Sequence, residues 1–123
     1  MKSAAPLARR RWREAADPCA AGGFRLPDGD PFKVITADGA VLDGIVAGAG
    51  PTAVLVHCWT GHRGFWEPVA ARLVARGHRV VLYDQRGHGA STNGTAPPTV
   101  DQLATDLAAV LEATGSRDAV VAG

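Results

Sequence analysis

Three short apolar runs without alternation constrain this chain more than any other feature: Ala53-Val-Leu-Val56, Val80-Val-Leu82 and Ala119-Val-Val121. A strand with one face in water alternates apolar and polar residues, whereas a strand covered on both faces reads as a continuous apolar run. Between the runs the period becomes helical. Trp66, Val69, Ala70, Leu73 and Val74 fall at i, i+3, i+4, i+7 and i+8, and Gly77 stands where a left-handed cap would close the helix. Thr99-Val-Asp-Gln102 has the form of a capping box, in which the Thr hydroxyl and the Gln amide satisfy free backbone N–H groups reciprocally. The helix it opens carries Val100, Leu103, Leu107, Val110 and Leu111 on one face and ends at Gly115. Upstream, Phe32–Thr36 and Val41–Val46 flank Asp38-Gly39, a dipeptide that supplies the positive φ angles of a tight hairpin. The order hairpin, strand, helix, strand, helix, strand predicts an α/β fold. Its parallel strands are joined by right-handed crossover helices and its sheet is covered on both faces.

Composition narrows the class. A chain of 123 residues is enough for one domain, and 46% hydrophobic with 20% charged residues is the make-up of a globular chain. The formal net charge of +1 predicts no general affinity for nucleic acid or acidic membranes. That charge is unevenly spread: Lys2, Arg9, Arg10, Arg11 and Arg13 face only Glu14 and Asp17, which leaves residues 19–123 at −2. Residues 1–30 read as a basic, Pro- and Gly-punctuated leader, disordered apart from a short basic helix at most, and residues 31–123 as the folded part. Two cysteines, Cys19 and Cys58, make no disulfide framework and point to reduced thiols in a cytoplasmic protein. No run approaches the 18 or so apolar residues of a membrane span.

Ligands of open α/β sheets bind outside the carboxyl ends of the strands. Two glycine-bearing segments sit there: His57-Cys-Trp-Thr-Gly61 and Asp84-Gln-Arg-Gly-His-Gly-Ala-Ser91. In the second, Gly87 and Gly89 permit a tight turn, Asp84 and Arg86 can tie the loop to neighbouring backbone and charges, and Ser91 can close it by a local hydrogen bond. No Lys lies near, so this is not a phosphate loop. In the first, the plain structural alternative is a hydrogen-bonded strand-end histidine followed by a small buried thiol. His57, His62, His78 and His88 follow spacings of 5, 16 and 10, which match no common zinc pattern. Asp101, Asp106 and Glu112 read as the solvated face of the second helix, and Trp66 as a core anchor of the first. Ser91 and Ser116 lack a Gly-x-Ser-x-Gly context.

From Pro31 to Gly123 the chain resembles the first half of an α/β-hydrolase of the chloroperoxidase/esterase-like group. Its 57–61 segment is similar to the family's oxyanion loop and its 84–91 segment to the Asp-x-Arg-Gly-x-Gly-x-Ser turn. The resemblance implies that the Trp59 backbone N–H faces the developing oxyanion, with His57, Cys58 and Gly61 supporting the loop. Cys58 stands where the family usually has Gly; if that site needs a positive φ, a Cβ would cost on the order of 1 kcal/mol or more. Asp84, Arg86, Gly87, Gly89 and Ser91 would form the structural turn. His88 is not the triad base, which the family carries near its carboxyl end.

The resemblance further implies cofactor-independent acyl transfer on a small-molecule ester. In the family the nucleophile follows directly after an ending such as Val121-Ala-Gly123, as the Ser of a His-Ser-x-Gly-Gly-like continuation, with an Asp or Glu and a His further along. None of that triad is among these residues, so the sequence alone leaves open whether the chain is itself an enzyme. The expectation is the amino-terminal portion of a hydrolase, cut before the nucleophile turn, inactive as it stands and insoluble or molten when expressed alone. The alternatives are a non-catalytic α/β module binding a partner through its open sheet edge, a small-molecule binding domain using the Cys58–Gly61 loop, and an epoxide hydrolase or dehalogenase with an Asp nucleophile.

Overall fold

A computed structural model of the chain describes residues 29–123. Cys19, most of the leader and the proposed basic helix lie outside the described residues, but Asp30 does not belong to a leader: it opens the first strand and pairs with Val46. The elements follow the expected order. Strands β1 (Asp30–Ile35) and β2 (Val41–Ala47) form the hairpin, β3 (Thr52–Val56) follows, and a short 3-10 turn (Arg63–Trp66) leads into helix α1 (Glu67–Ala75). Strand β4 (Arg79–Tyr83), helix α2 (Val100–Ala113) and strand β5 (Val120–Ala122) complete the series. The sheet order is β1-β2-β4-β3-β5, with β1–β2 and β2–β4 antiparallel and β3 parallel to both β4 and β5.

Alternation of side chains along each strand divides the core between the two faces. Val54, Val81 and Tyr83 join Val34 and Leu42 beneath Val110, Leu107 and Leu111 of α2. Ala53, Leu55, Val80 and Leu82 point the other way and pack against Ala70, Leu73, Val74 and Trp66 of α1. Each such Val or Leu contributes about 1.5–3 kcal/mol relative to exposure, which is why the runs carry no polar residue. Trp66 is thus a core anchor, as its spacing indicates.

Both helices end in the motif their glycines announce. At α1, the His78 N–H donates to Leu73 O and Gly77 N–H to Val74 O, both at 3.1 Å; at α2, Ser116 N–H reaches Leu111 O at 2.9 Å and Gly115 N–H reaches Glu112 O at 3.1 Å.

Several expectations are corrected. The hairpin uses one positive φ, not two: Gly39 alone has it, at 88°, while Gly39 N–H donates to Thr36 O and Thr36 N–H to Ala40 O. That is the longer turn with a single left-handed glycine, which leaves Asp38 in an ordinary conformation and its carboxylate free for another task. The capping box is half made. Thr99 Oγ1 accepts from Gln102 N–H at 3.2 Å, but the Gln102 amide donates to Asp106 Oδ1 at 3.0 Å. Val100 is 82% exposed because it occupies the first position of α2, before the helix reaches the sheet. Val69 on α1 is exposed as well. The last strand begins one residue later than expected and is not buried: Val120 is 68% and Val121 43% exposed, because β5 is an edge strand that pairs with β3 alone among the described residues.

Candidate active site

Strands β3 and β4 are parallel neighbours with Val56 beside Tyr83, so the loops that follow them emerge side by side. His57 joins them. Its buried imidazole places Nδ1 2.8 Å from Cys58 O, and its Nε2 accepts from Gln85 N–H at 2.9 Å; the Gln85 amide donates back to His57 O at 2.6 Å. A carbonyl oxygen only accepts, so Nδ1 carries the hydrogen and Nε2 offers its lone pair. Both ring nitrogens are occupied in holding the loops together.

Residues 58–61 form a tight turn closed by Gly61 N–H to Cys58 O at 2.9 Å. Cys58 is free and exposed, and it does not adopt a positive φ. The strain anticipated at Cys58 and its burial are therefore both corrected. The left-handed residue is Thr60, with φ 68°. Positive φ at the third position is the mark of a type II turn, where Gly or Asn is usual, and a β-branched residue held there costs about 1–3 kcal/mol. Trp59 is the second residue of this turn. Its side chain is exposed, and its N–H has no partner among the described residues. Beside it opens a cavity of about 250 Å³ lined by Trp59, Arg86, Gly87, His88, Asn93 and Pro98.

The glycine turn is a dense structural knot. Asp84 is buried; its Oδ1 accepts from Arg63 N–H at 2.7 Å and its Oδ2 from Ala90 N–H at 3.1 Å. Ser91 Oγ donates to Asp84 O at 2.6 Å and accepts from Asp43 N–H at 2.9 Å, closing the loop and fastening it to β2. Gly89 has φ 49°, and a Cβ there would lie 2.4 Å from the Asp84 carboxyl group, so the carboxylate occupies the space a side chain would need. Arg63 also pairs with Asp43 through Nη1.

Arg86 is the centre of a buried charge network. Nε and Nη2 donate to Asp106 Oδ2 and Oδ1 at 2.7 and 2.8 Å, Nη1 and Nη2 to Asp38 Oδ2 and Oδ1 at 2.8 and 3.1 Å, and Nη1 to Ala96 O at 3.2 Å. All five guanidinium donors are used. The network ties the hairpin turn, the glycine loop and α2 together. Arg86, with the Thr36 hydroxyl and Ala96 N–H, holds the Asp38 carboxyl well below the usual carboxylate range. Asp106 and Asp38 in turn hold the guanidinium charged. Burial, and then the Asp106 charge, push the Tyr83 phenol upward.

Asp106 overturns its reading as a solvated residue: it is 1% exposed. The signal was present, since Asp106 falls between Leu103 and Val110 on the inward stripe of α2, but an acid in an apolar stripe says nothing of its partner. Asp38, Gln85 and Arg63 are also structural members that the motifs did not disclose. His88, set aside as a triad base, bridges the two loops: Nε2 accepts from Thr60 N–H at 3.2 Å while Nδ1 donates to Arg86 O at 2.9 Å. Ser116 accepts from Arg79 Nη1 at 3.2 Å, and His62 caps the 3-10 turn by accepting from Gly64 N–H. Among the described residues no helix is long and apolar enough to cross a membrane.

Known proteins share this frame. Over 78 residues the chain is 42% identical to the "Putative carbamate hydrolase RutD" of Azorhizobium caulinodans, covering 63% of this chain and 29% of that protein. It is 36% identical over 93 residues to a non-heme haloperoxidase of Rhodococcus erythropolis, covering 76% and 34%. A solved structure from Pseudomonas aeruginosa, described as a "putative epoxide hydrolase", superposes with a TM-score of 0.71 at 30% identity over 79% of this chain and 33% of its own. The chain thus spans about a third of the length of the relatives it matches. With residues 51–123 also matching the family model for the alpha/beta hydrolase fold, the sheet order and the paired loops have their explanation: the chain belongs to the α/β-hydrolase family.

Proposed function

We propose that this chain forms the amino-terminal part of an ester-type hydrolase and supplies one half of its oxyanion hole, the Trp59 N–H. One observation carries the reading: this N–H stands at the carboxyl end of β3 without a partner among the described residues, in a turn whose flanking groups are tied down. A donor fixed in advance matters because charge gathers on the substrate carbonyl oxygen only as the tetrahedral state forms, and one such donor is worth about 10²–10³ in rate. The reaction is acyl transfer. A serine hydroxyl attacks the carbonyl of a small ester, the oxyanion accepts from Trp59 N–H and a second donor, and water then cleaves the acyl-enzyme. Neither nucleophile nor base is among these 123 residues, which contain no Gly-x-Ser-x-Gly. This reading expects the chain by itself to be inactive.

A second reading has an Asp nucleophile, favoured by the 30% identity to the structure described as a "putative epoxide hydrolase". The oxyanion then arises when water attacks the ester formed on that Asp, and Trp59 N–H serves the same purpose.

Two measurements test the proposal. The purified 123-residue chain should hydrolyse a nitrophenyl ester at background rate; saturable turnover blocked by a serine-directed phosphonate would refute the missing nucleophile. In the full gene product, Trp59→Pro removes the N–H at a turn position that proline favours, whereas Trp59→Ala keeps it. The proline variant should lose about 10²–10³ in kcat relative to the alanine variant. Equal kcat in the two would rule out Trp59 N–H as the donor.

A further inference from the structure

The oxyanion turn is held in a state its own residues disfavour. A type II turn has a neighbour in which the central peptide flips and the third residue returns to negative φ. For Thr60, at φ 68°, that flip would relieve strain, while the closing bond from Gly61 N–H to Cys58 O would survive it. What opposes the flip lies on the other loop. Thr60 N–H donates to His88 Nε2 at 3.2 Å, and the opposite nitrogen of that ring is fixed on Arg86 O at 2.9 Å. Arg86 is anchored in turn by Asp38 and Asp106. The ring also meets Trp59 edge-on at 5.1 Å and 73°, which couples it to the residue at the other end of the central peptide.

We propose that His88 is the positioning residue of the oxyanion turn and that its protonation flips the Trp59–Thr60 peptide. The proposal takes from the proposed function only that residues 58–61 are the oxyanion turn; the flip itself does not depend on that reading. Neutral His88 offers Nε2 as an acceptor, and Thr60 N–H faces it. A proton taken from solvent at Nε2 turns the acceptor into a donor, so that two N–H groups oppose each other. In the flipped turn the Trp59 carbonyl takes the place of Thr60 N–H and accepts from Nε2–H, while Nδ1–H stays on Arg86 O. In the flipped turn both ring nitrogens keep a partner, while Thr60 N–H, on an exposed residue, turns to water.

The titratable groups near the ring are accounted for. His57, from the end of β3, stacks obliquely at 5.2 Å with both nitrogens engaged by Cys58 O and Gln85 N–H. On the ring's own loop the Arg86 guanidinium is bound to Asp38 and Asp106, and the Asp84 carboxylate to Arg63 and Ala90 N–H. His88 lines the cavity beside Trp59, so its protonation is open to solvent.

The test is ¹⁵N NMR of the full gene product as the pH is lowered from neutral to acid. At the neutral end, Thr60 N–H should show exchange protection and a scalar coupling to His88 Nε2. At the acid end the coupling should vanish, the Thr60 three-bond coupling should report negative φ, and the protection factor should fall roughly tenfold, the worth of one hydrogen bond. Gly61 N–H should keep its protection throughout. His88→Gln, which retains an acceptor and does not titrate, should hold the neutral state at every pH, and His88→Leu should lose it at every pH. Thr60 signals independent of pH in the wild type, or a pH response surviving in His88→Gln, would overturn the proposal. Trp59 N–H belongs to the Cys58–Trp59 peptide and keeps its place through the flip, so its role as donor is tested separately, by the kcat of Trp59→Pro against Trp59→Ala.

Discussion

Replacing Asp106 by Ala tests the buried charge network directly. The substitution strips two charge-assisted acceptors, at 2.7 and 2.8 Å, from a guanidinium with no solvent exposure. Removing one partner of a buried ion pair typically costs about 3–5 kcal/mol, because the remaining charge stays desolvated. Here Asp38 still neutralises Arg86, so the lower end, about 3 kcal/mol, is expected. Against a total stability of about 5–15 kcal/mol this is a large share. With a urea slope of about 1–3 kcal/mol/M, the unfolding midpoint of the full gene product should fall by roughly 1–3 M at unchanged slope. Glu112→Ala, on the exposed side of the same helix, should stay within about 0.5 kcal/mol of the parent. Pairing Asp106→Ala with Arg86→Met should recover part of the loss, since the uncompensated charge goes too. If Asp106→Ala and Glu112→Ala give the same midpoint, the network carries no stability and the reasoning fails.

The Asp38 carboxyl is held below its ordinary value of 3.8 in the folded state. Its contribution is therefore fully present above that value and lost as pH falls below it, and Asp38→Asn should flatten the acid limb of stability in urea titrations between about pH 2 and 6; superimposable limbs would contradict this. Gly89→Ala adds a Cβ against the Asp84 carboxyl, whereas Gly77→Ala at φ 86° meets nothing within 4 Å. Denaturation should show about 1 kcal/mol for the second, the cost of the left-handed backbone alone, and clearly more for the first; equal losses would refute the crowding argument. Val121→Lys should lower self-association of the 123-residue chain in sedimentation, because a charge on an exposed edge strand disfavours pairing with another copy. An unchanged mass distribution would show that the β5 edge is not the point of contact.

Much of the fold was legible because it follows from local rules. Runs such as Val80-Val-Leu82 carry no polar residue when both faces of a strand are covered, and Gly77 and Gly115 stand at the ends of helical periods. The positions of the two loops at strand ends follow from the same patterns. Legibility failed where burial depends on neighbours distant in sequence. Val100 sits on the apolar stripe of α2, yet none of the described residues covers it; Val120 looks like a core residue and lies at an edge. Cys58 was suspected of strain that in fact falls on Thr60, because the turn places its positive φ two residues later than the glycine of the motif would suggest.

The sequence by itself determined the element order, the parallel run of β3, β4 and β5 and the family frame, since periodicity, glycine caps and two loop motifs are properties of contiguous residues. Only the tertiary structure decided who partners whom. Arg86 meets Asp38 and Asp106, 48 and 20 positions away, and Thr60 meets His88 across 28. A buried cation takes whichever carboxylates the packing brings within hydrogen-bond reach, and a strained turn persists only where a distant acceptor holds it. Those distances exist only once the sheet has brought the ends of β3 and β4 together.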